Sequence, residues 1–324
     1  MEQFEQIRLR LHTELGKMNS IISESLRTNN EMLNAIVTNY LETKGKQIRP
    51  ILVILSAKMF GTVNEHVLNA CAALEMLHNA SLIHDDVVDE TSLRRGEPTI
   101  NKMWGNHIAV LVGDYFVSNA LAAGIRTGLI SIISALSALG KELSLGEIDQ
   151  ICTARDHHFD EGSYFMVIRK KTASLFMNCV QMGAEAVGAV PEEFAPMVKY
   201  AELLGLCFQI KDDIFDYYDN PKIGKPTGND LREGKVTLPL LYALDNAPEE
   251  ESDEMKALIC RGDLTPGEIE VLVDFAKREG GIDYAFETMR RMQQEAENII
   301  APYPESEAKQ SFREIFEFII SRDR

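Results

Sequence analysis

The chain has little of what several functional classes require. Basic charge is short: 33 Lys and Arg stand against 50 Asp and Glu in 324 residues, a net charge of −17. A nucleic-acid partner leaves a basic footprint, so no nucleic acid is expected. Cysteines are few and scattered. Cys71, Cys152, Cys179, Cys207 and Cys260 are odd in number and form no CxxC pair. That argues against a zinc site or a disulfide framework and fits buried thiols in a reducing cytosol. No apolar run reaches the length of a membrane span. The first six residues are acidic and lack the apolar stretch of a signal peptide. A cytoplasmic protein with no membrane anchor is therefore expected. Strand-like alternation of period two is missing as well. Ile51 to Leu55 alone could pass for a buried strand, but Ser56 to Met59 continue it in a helical manner.

The composition that remains is that of an ordinary globular protein, 45% hydrophobic and 26% charged. Its dominant period is helical. Ile51 to Phe60, Leu68 to Val88, Ile108 to Ile125, Leu175 to Val190 and Tyr200 to Tyr217 are apolar-rich, with polar residues recurring every three or four positions. Thr265-Pro266-Gly267-Glu268 reads as a capping box with proline at the first helical position, and Gly280-Gly281 closes that helix. Pro191 and Thr237-Leu238-Pro239 mark two further starts. The reading is an all-α fold: residues 1–324 as a single domain of more than ten helices around an apolar cavity. Asp89 to Gly105 and Asn220 to Lys235 read as ordered loops.

Two aspartate clusters of one form punctuate these helices, Asp85-Asp86-Val87-Val88-Asp89 and Asp212-Asp213-Ile214-Phe215-Asp216. Carboxylates beside a core are costly unless something positive compensates them. Mg²⁺ suits the part, because it takes hard oxygen ligands and shares them with substrate phosphates. On a helix, positions i and i+4 share a face. Asp85 therefore aligns with Asp89, and Asp212 with Asp216, while Asp86 and Asp213 turn about 100° away. Two such faces opposed across a cavity could hold several Mg²⁺ around one diphosphate. The bland alternative, a solvated acidic helix end, accounts for one cluster better than for two of matched spacing. Glu75 also precedes Asp85 by the interval at which Glu202 precedes Asp212, a weak internal echo.

In so acidic a chain the placement of basic residues is informative. Lys46 and Arg49 precede a helix, Arg94 and Arg95 follow the first cluster, Lys170, Lys171 and Thr172 precede another helix, and Lys225 and Lys235 follow the second cluster. Arg binds phosphate oxygens with a fork and Lys with a point charge, and a helix N-terminus at Thr172 is itself an anion site. Lys170 alone is read as surface charge. His78 lies two helical turns before Asp85 on nearly the same face. His84 is read as structural.

Together these residues resemble the trans-isoprenyl diphosphate synthases, the polyprenyl synthetases, from about Gly45 to Leu240. Carrying the resemblance are Gly45-Lys46-x-x-Arg49-Pro50, the helix Glu75 to Asp86 with its Asp-rich end, Arg94-Arg95-Gly96, Gly113-Asp114-Tyr115, Lys171-Thr172 and Gln209-x-x-Asp212-Asp213-x-x-Asp216. Lys225 and Lys235 fall in the family's trailing loop. Gln47 departs from the pattern, standing where a basic residue is common.

The resemblance implies a Mg²⁺-dependent prenyltransferase that condenses isopentenyl diphosphate with an allylic diphosphate primer, farnesyl or geranylgeranyl. It assigns Asp85, Asp89 and Asp212 as metal ligands, with Asp86, Asp213 and Asp216 assisting directly or through water. Arg94, Lys171, Thr172, Gln209, Lys225 and Lys235 would hold the allylic diphosphate; Lys46, Arg49, His78 and Arg95 would hold isopentenyl diphosphate. A helical homodimer is implied, although some relatives need a second, different subunit.

Product length is steric. Residues four and five before Asp85 are Ser81 and Ala80, both small, where early-stopping enzymes of the family tend to carry aromatics. Leu77 and Leu74, with Val117, Ser118, Leu121 and Ala122, would line the deeper tunnel, and Phe116 a side wall. A long all-trans product, heptaprenyl to decaprenyl, is expected, of the kind that supplies quinone side chains. Competing readings are a short-chain farnesyl or geranylgeranyl diphosphate synthase, and a helical His-Asp phosphohydrolase using His84-Asp85. A terpene cyclase and a non-catalytic partner subunit complete them.

Overall fold

The computed structural model describes residues 2–42, 45–94, 96–157, 159–218 and 228–322. In chain order its elements are α1 (Glu2–Arg10), α2 (His12–Ser25), α3 (Glu31–Glu42), α4 (Ile48–Phe60), α5 (Glu65–Val88), β1 (Leu93–Arg94), β2 (Glu97–Pro98), α6 (Ile100–Trp104), α7 (Asn106–Arg126), α8 (Ile130–Asp156) and α9 (Glu161–Ile168). A π-helical turn (Arg169–Ala173) follows, then α10 (Ser174–Glu185), α11 (Pro191–Phe215), α12 (Asn229–Arg232), α13 (Leu238–Asn246), α14 (Glu249–Arg261), α15 (Pro266–Arg278), α16 (Gly281–Ile300) and α17 (Glu307–Ser321). The all-α expectation of more than ten helices holds. The only sheet among the described residues is the hairpin β1–β2, pairing Leu93 with Pro98 and Arg94 with Glu97. It and α6 fill the stretch that reads as a loop in the sequence.

Two compact units emerge. The first takes in Met1–Lys141, Leu175–Val198 and Tyr303–Ile315; the second takes in Glu142–Ser174, Lys199–Pro302 and Phe316–Arg324. In the first, α5 packs along α7 and against α2 and α4. Asn64 caps α5 by accepting the Val67 N–H at 3.0 Å, and small residues from Ala70 to Ala73 are buried along its middle, which lets neighbouring backbones come close. The approach to α7 is close at Gly113, where a Cβ would lie 2.1 Å from His84 Nε2. Ile51 to Leu55 are fully enclosed in α4, so that apolar run is a buried helix. Gln47, the residue before α4, adopts a left-handed φ of 55°, uncommon for a non-glycine residue. Its side chain donates to Asn19 Oδ1 at 3.0 Å.

α7 corrects one expectation. By length and composition it is the one helix among the described residues apolar enough to cross a membrane, and only 39% of that window is buried. Leu111, Ser118, Leu121 and Ile125 form one exposed face of it.

In the second unit α13 packs on α15, α16 and α9. The capping box is as expected: Thr265 accepts the Glu268 N–H, and the Glu268 carboxylate accepts the Thr265 N–H at 2.8 Å. Glycine 281 is required where α16 meets α13, since a Cβ there would lie 2.0 Å from Pro239 O. The five cysteines are all thiols, with Cys71, Cys179 and Cys207 buried; Cys152 is half-buried and Cys260 exposed, which departs from the uniform burial expected.

Candidate active site

In the first unit the site is the C-terminal end of α5. Asp85 is half-buried in the last turn, and Asp89 is exposed just past it, its N–H donating to Asp85 O at 2.8 Å. The α-helical spacing is therefore kept through Asp89, and the two carboxylates share one side. Asp86 turns away and is buried. Its Oδ1 accepts from Arg94 Nε at 2.8 Å and Nη2 at 2.7 Å. Its main-chain oxygen accepts from Thr91 N and Asn101 Nδ2, both at 2.9 Å. Asp86 thus fastens the hairpin to the helix. Burial works against the Arg94 charge, yet the hydrogen bond to Asp86 and the negative charge of Asp86 and Asp85 together outweigh it, and the guanidinium holds its proton more tightly than usual.

Asp86 and Arg94 line a cavity of about 830 Å³ together with Tyr40, Glu75 and Asn79. The residues expected to bind isopentenyl diphosphate are arranged less openly. Lys46 is exposed, Arg49 is half-buried with its guanidinium 5.9 Å from the Phe176 ring centre, and His78 is buried. Arg95 lies outside the described residues.

His84 is structural, as expected. Its Nε2 lies 3.2 Å from Val110 O, and a carbonyl only accepts, so that nitrogen carries the proton. That tautomer ties Nε2 to α7 and leaves only Nδ1 with a lone pair.

In the second unit, Lys171, Thr172, Gln209, Asp213 and Lys235 line a single hollow of about 170 Å³. A π-helical turn presents Lys171 and Thr172; such turns recur at functional sites. α8 lies against this turn at Gly146, where a Cβ would stand 2.8 Å from Lys171 N. The turn's lysines are held by α8: Lys170 pairs with Asp149 at 2.6 Å, and Lys171 pairs with Glu147 and donates to Gln150 Oε1 at 3.2 Å. Lys235 pairs with Glu233. Lys225 lies outside the described residues.

Thr172 Oγ1 donates to Gln209 Oε1 at 2.7 Å, and Gln209 Nε2 donates to Asp213 Oδ1 at 2.8 Å. Tyr164 OH donates to Asp213 Oδ2 at 2.6 Å. Burial, and then the nearby Asp230, push the Asp213 carboxyl up to about 8. Burial, and then Asp213, hold the Tyr164 hydroxyl well above its ordinary value.

Asp216 departs from the expected alignment with Asp212. α11 ends at Phe215 and the chain tightens, with Asp216 N donating to Asp213 O at 3.1 Å, a three-residue step. Its carboxylate caps α12, accepting from Asn229 N at 3.0 Å and Asp230 N at 2.9 Å. Asp212 is half-buried and accepts from Arg322 of the C-terminal segment.

The chain matches the polyprenyl synthetase family over residues 30–275. It belongs to that family. The all-trans-nonaprenyl-diphosphate synthase (geranyl-diphosphate specific) of Rhodobacter capsulatus is 32% identical over 95% of each chain. Among solved structures, a decaprenyl diphosphate synthase from Rhodobacter capsulatus aligns with a TM-score of 0.93 at 30% identity over 99% of each chain. A geranylgeranyl pyrophosphate synthase from Bacteroides thetaiotaomicron aligns at 0.86 and 36% identity, over 99% of this chain and 100% of its own. This polyprenyl synthetase is accordingly a prenyltransferase, and the long-chain reading of its sequence fits its relatives better than the alternatives do.

A polyprenyl synthetase of this family works with Mg²⁺. Among the described residues no three His, Cys, Asp or Glu side chains are gathered as a ready-made metal cage. Mg²⁺ is commonly held by one or two carboxylates and completes its shell with water and phosphate oxygens. Asp85 and Asp89, all-oxygen and on one helix side, fit such an ion.

Sequence reasoning missed Tyr164, Glu147, Gln150, Asp230 and Arg322. Glu147 and Gln150 are spaced i and i+3 on one helix beside Gly146, a signal that could have found them. Tyr164 and Arg322 meet the cluster only through tertiary contacts.

Proposed function

We propose that this polyprenyl synthetase is a long-chain all-trans polyprenyl diphosphate synthase. It adds isopentenyl diphosphate units one after another to an allylic diphosphate, farnesyl or geranylgeranyl, ending between heptaprenyl and decaprenyl. The observation that carries the diphosphate chemistry is the gathering of Lys171, Thr172, Gln209 and Lys235 around one hollow beside Asp213; the long product is supported by the small Ala80 and Ser81 and by the likeness to the nonaprenyl and decaprenyl synthases.

Asp85, Asp89 and Asp212 are the proposed metal ligands. Bound Mg²⁺ would neutralise charge on the departing diphosphate. Lys171, Lys235 and Arg94 hold the allylic diphosphate, aided by Thr172 and Gln209; Lys225 and Arg95, by resemblance, belong to the same machinery. As the allylic C–O bond ionises, these cations stabilise the developing negative charge. Lys46, Arg49 and His78 hold isopentenyl diphosphate, whose double bond attacks the allylic cation. The new C–C bond leaves a tertiary cation, which loses a proton to the released diphosphate. Asp86, Asp213 and Asp216 act on this view as buttresses, through Arg94, through Gln209 and at α12.

The single-domain reading becomes the proposal that both units, to which α8, α11 and α17 each contribute residues, serve one reaction. A homodimer is proposed from α7. Leu111 and Ile125 are each 62% exposed and Leu121 41%, an apolar face of the kind that marks an interface. Ser118 and Leu121, expected as tunnel wall, lie on this exposed face, so a neighbouring copy would complete the wall. A cytoplasmic enzyme feeding quinone side chains completes the reading.

The test is to incubate the purified chain with Mg²⁺, farnesyl diphosphate and radiolabelled isopentenyl diphosphate, then size the products. Products of seven to ten isoprene units are expected; a product that stops at geranylgeranyl refutes the long-chain assignment. Ser81 is the better steric probe, being half-buried where Ala80 is fully enclosed. Ser81→Phe should shorten the product, and an unchanged distribution refutes the tunnel assignment along Leu77, Ala80 and Ser81.

A further inference from the structure

Arg322, one residue beyond α17, is built into the second aspartate cluster. Its side chain is 7% exposed. Nη2 donates to Phe208 O at 3.0 Å and also to an oxygen of Asp212, Oδ1. The guanidinium carbon lies 4.2 Å from the Phe208 ring centre and 5.5 Å from that of Phe215. These anchors come from one turn of α11 on either side of Asp212, so the arginine would remain in place without the carboxylate. Its Nε is buried with no hydrogen-bond partner, an unfavourable state for a polar group in that position. The arrangement is therefore not explained by completeness of its own hydrogen bonding.

We propose that Arg322 is a positioning residue for Asp212. It commits Oδ1 to the guanidinium and thereby fixes the carboxylate rotamer. This rests on the reading of Asp212 as a Mg²⁺ ligand. Partners that orient ligating groups in this way are worth roughly 10- to 100-fold in metal affinity. No spacing rule in the sequence connects a C-terminal arginine with an aspartate on α11.

The experiment is calorimetric titration of the full chain with inorganic pyrophosphate at a series of Mg²⁺ concentrations, with melting curves for each variant. Arg322→Ala should weaken Mg²⁺-dependent pyrophosphate binding by about 10- to 100-fold. Arg322→Lys should recover only part of this, because an ammonium cannot lie flat on Phe208. Affinity in Arg322→Ala equal to or tighter than wild type overturns the proposal, even if the melting temperature falls. Should Arg322→Ala fail to fold, Arg322→Lys decides: several-fold weaker binding supports the proposal and wild-type affinity overturns it. Asp212→Asn separates the two levels. If it binds as wild type does, Asp212 is no ligand and the proposal falls with that reading; if it loses binding while the Arg322 variants do not, only the positioning role falls.

Discussion

The two aspartate clusters have the same lettering and different fates. At the end of α5 the helical step persists through Asp89, leaving Asp85 half-buried and Asp89 exposed on one side, while Asp86 turns away to brace the hairpin through Arg94. At the end of α11 every carboxylate has a protein partner: Arg322 for Asp212, Tyr164 and Gln209 for Asp213, and the start of α12 for Asp216. One turn of backbone makes the difference. A step of four residues keeps the third aspartate beside the first, whereas a step of three swings it to another helix. Repetition of a motif in sequence does not imply repetition of its geometry.

Substitutions at equivalent positions should break this equivalence. Asp85→Ala and Asp89→Ala are expected to cost roughly 100- to 1,000-fold in kcat, the scale of losing one preorganised charge-stabilising group, with little change in melting temperature. The equivalent change at the third position of the second cluster, Asp216→Ala, should instead cost about 1 kcal/mol of stability through the lost cap, with a far smaller effect on kcat. Parallel chemical-denaturation and steady-state measurements separate the two; equal kinetic losses at Asp89 and Asp216 would restore the symmetry denied here.

Protonation sharpens the contrast. The folded Asp213 carboxyl lies at about 8, above its unfolded value, so the native state binds the extra proton between the two. The stability this contributes is present at low pH and lost as pH rises through about 8. Asp213→Asn, which cannot ionise, should gain on wild type in melting temperature as pH climbs from about 5 to 9. A constant difference across that range contradicts the assignment.

Tyr164 probes the same carboxyl from its other side. Removing its hydroxyl in Tyr164→Phe should destabilise the fold by about 1–2 kcal/mol, one buried hydrogen bond. It should also raise the KM for the allylic substrate more than it lowers kcat, because Asp213 would no longer brace Gln209 and Thr172. Initial-rate kinetics at varied farnesyl diphosphate check this.

The helices were legible because their apolar residues recur with the helical period, and the Thr265 capping box because capping chemistry is local. The members of the hollow were legible too, since Lys171, Thr172, Gln209 and Lys235 each stand beside a recognisable motif. What stayed hidden depends on contacts between residues far apart in the chain. Asp216 as a cap needs α12 to be present, and Tyr164 on Asp213 needs α9 to pack there. Arg322 on Asp212 needs the end of α17 to reach α11. The hairpin and α6 stayed hidden for another reason: two-residue strands and a five-residue helix carry too few residues for periodicity to register.

The central claim, that both clusters serve one diphosphate, is tested most directly by a double-mutant cycle. Mg²⁺-dependent binding of farnesyl thiolodiphosphate, whose C–S bond resists ionisation, would be measured in wild type, Asp85→Asn, Asp212→Asn and the pair together. The account predicts one site per chain and strong coupling, with the double variant losing much less than the sum of the single losses expressed as free energies. Additive losses, or two independent sites per chain, would contradict it.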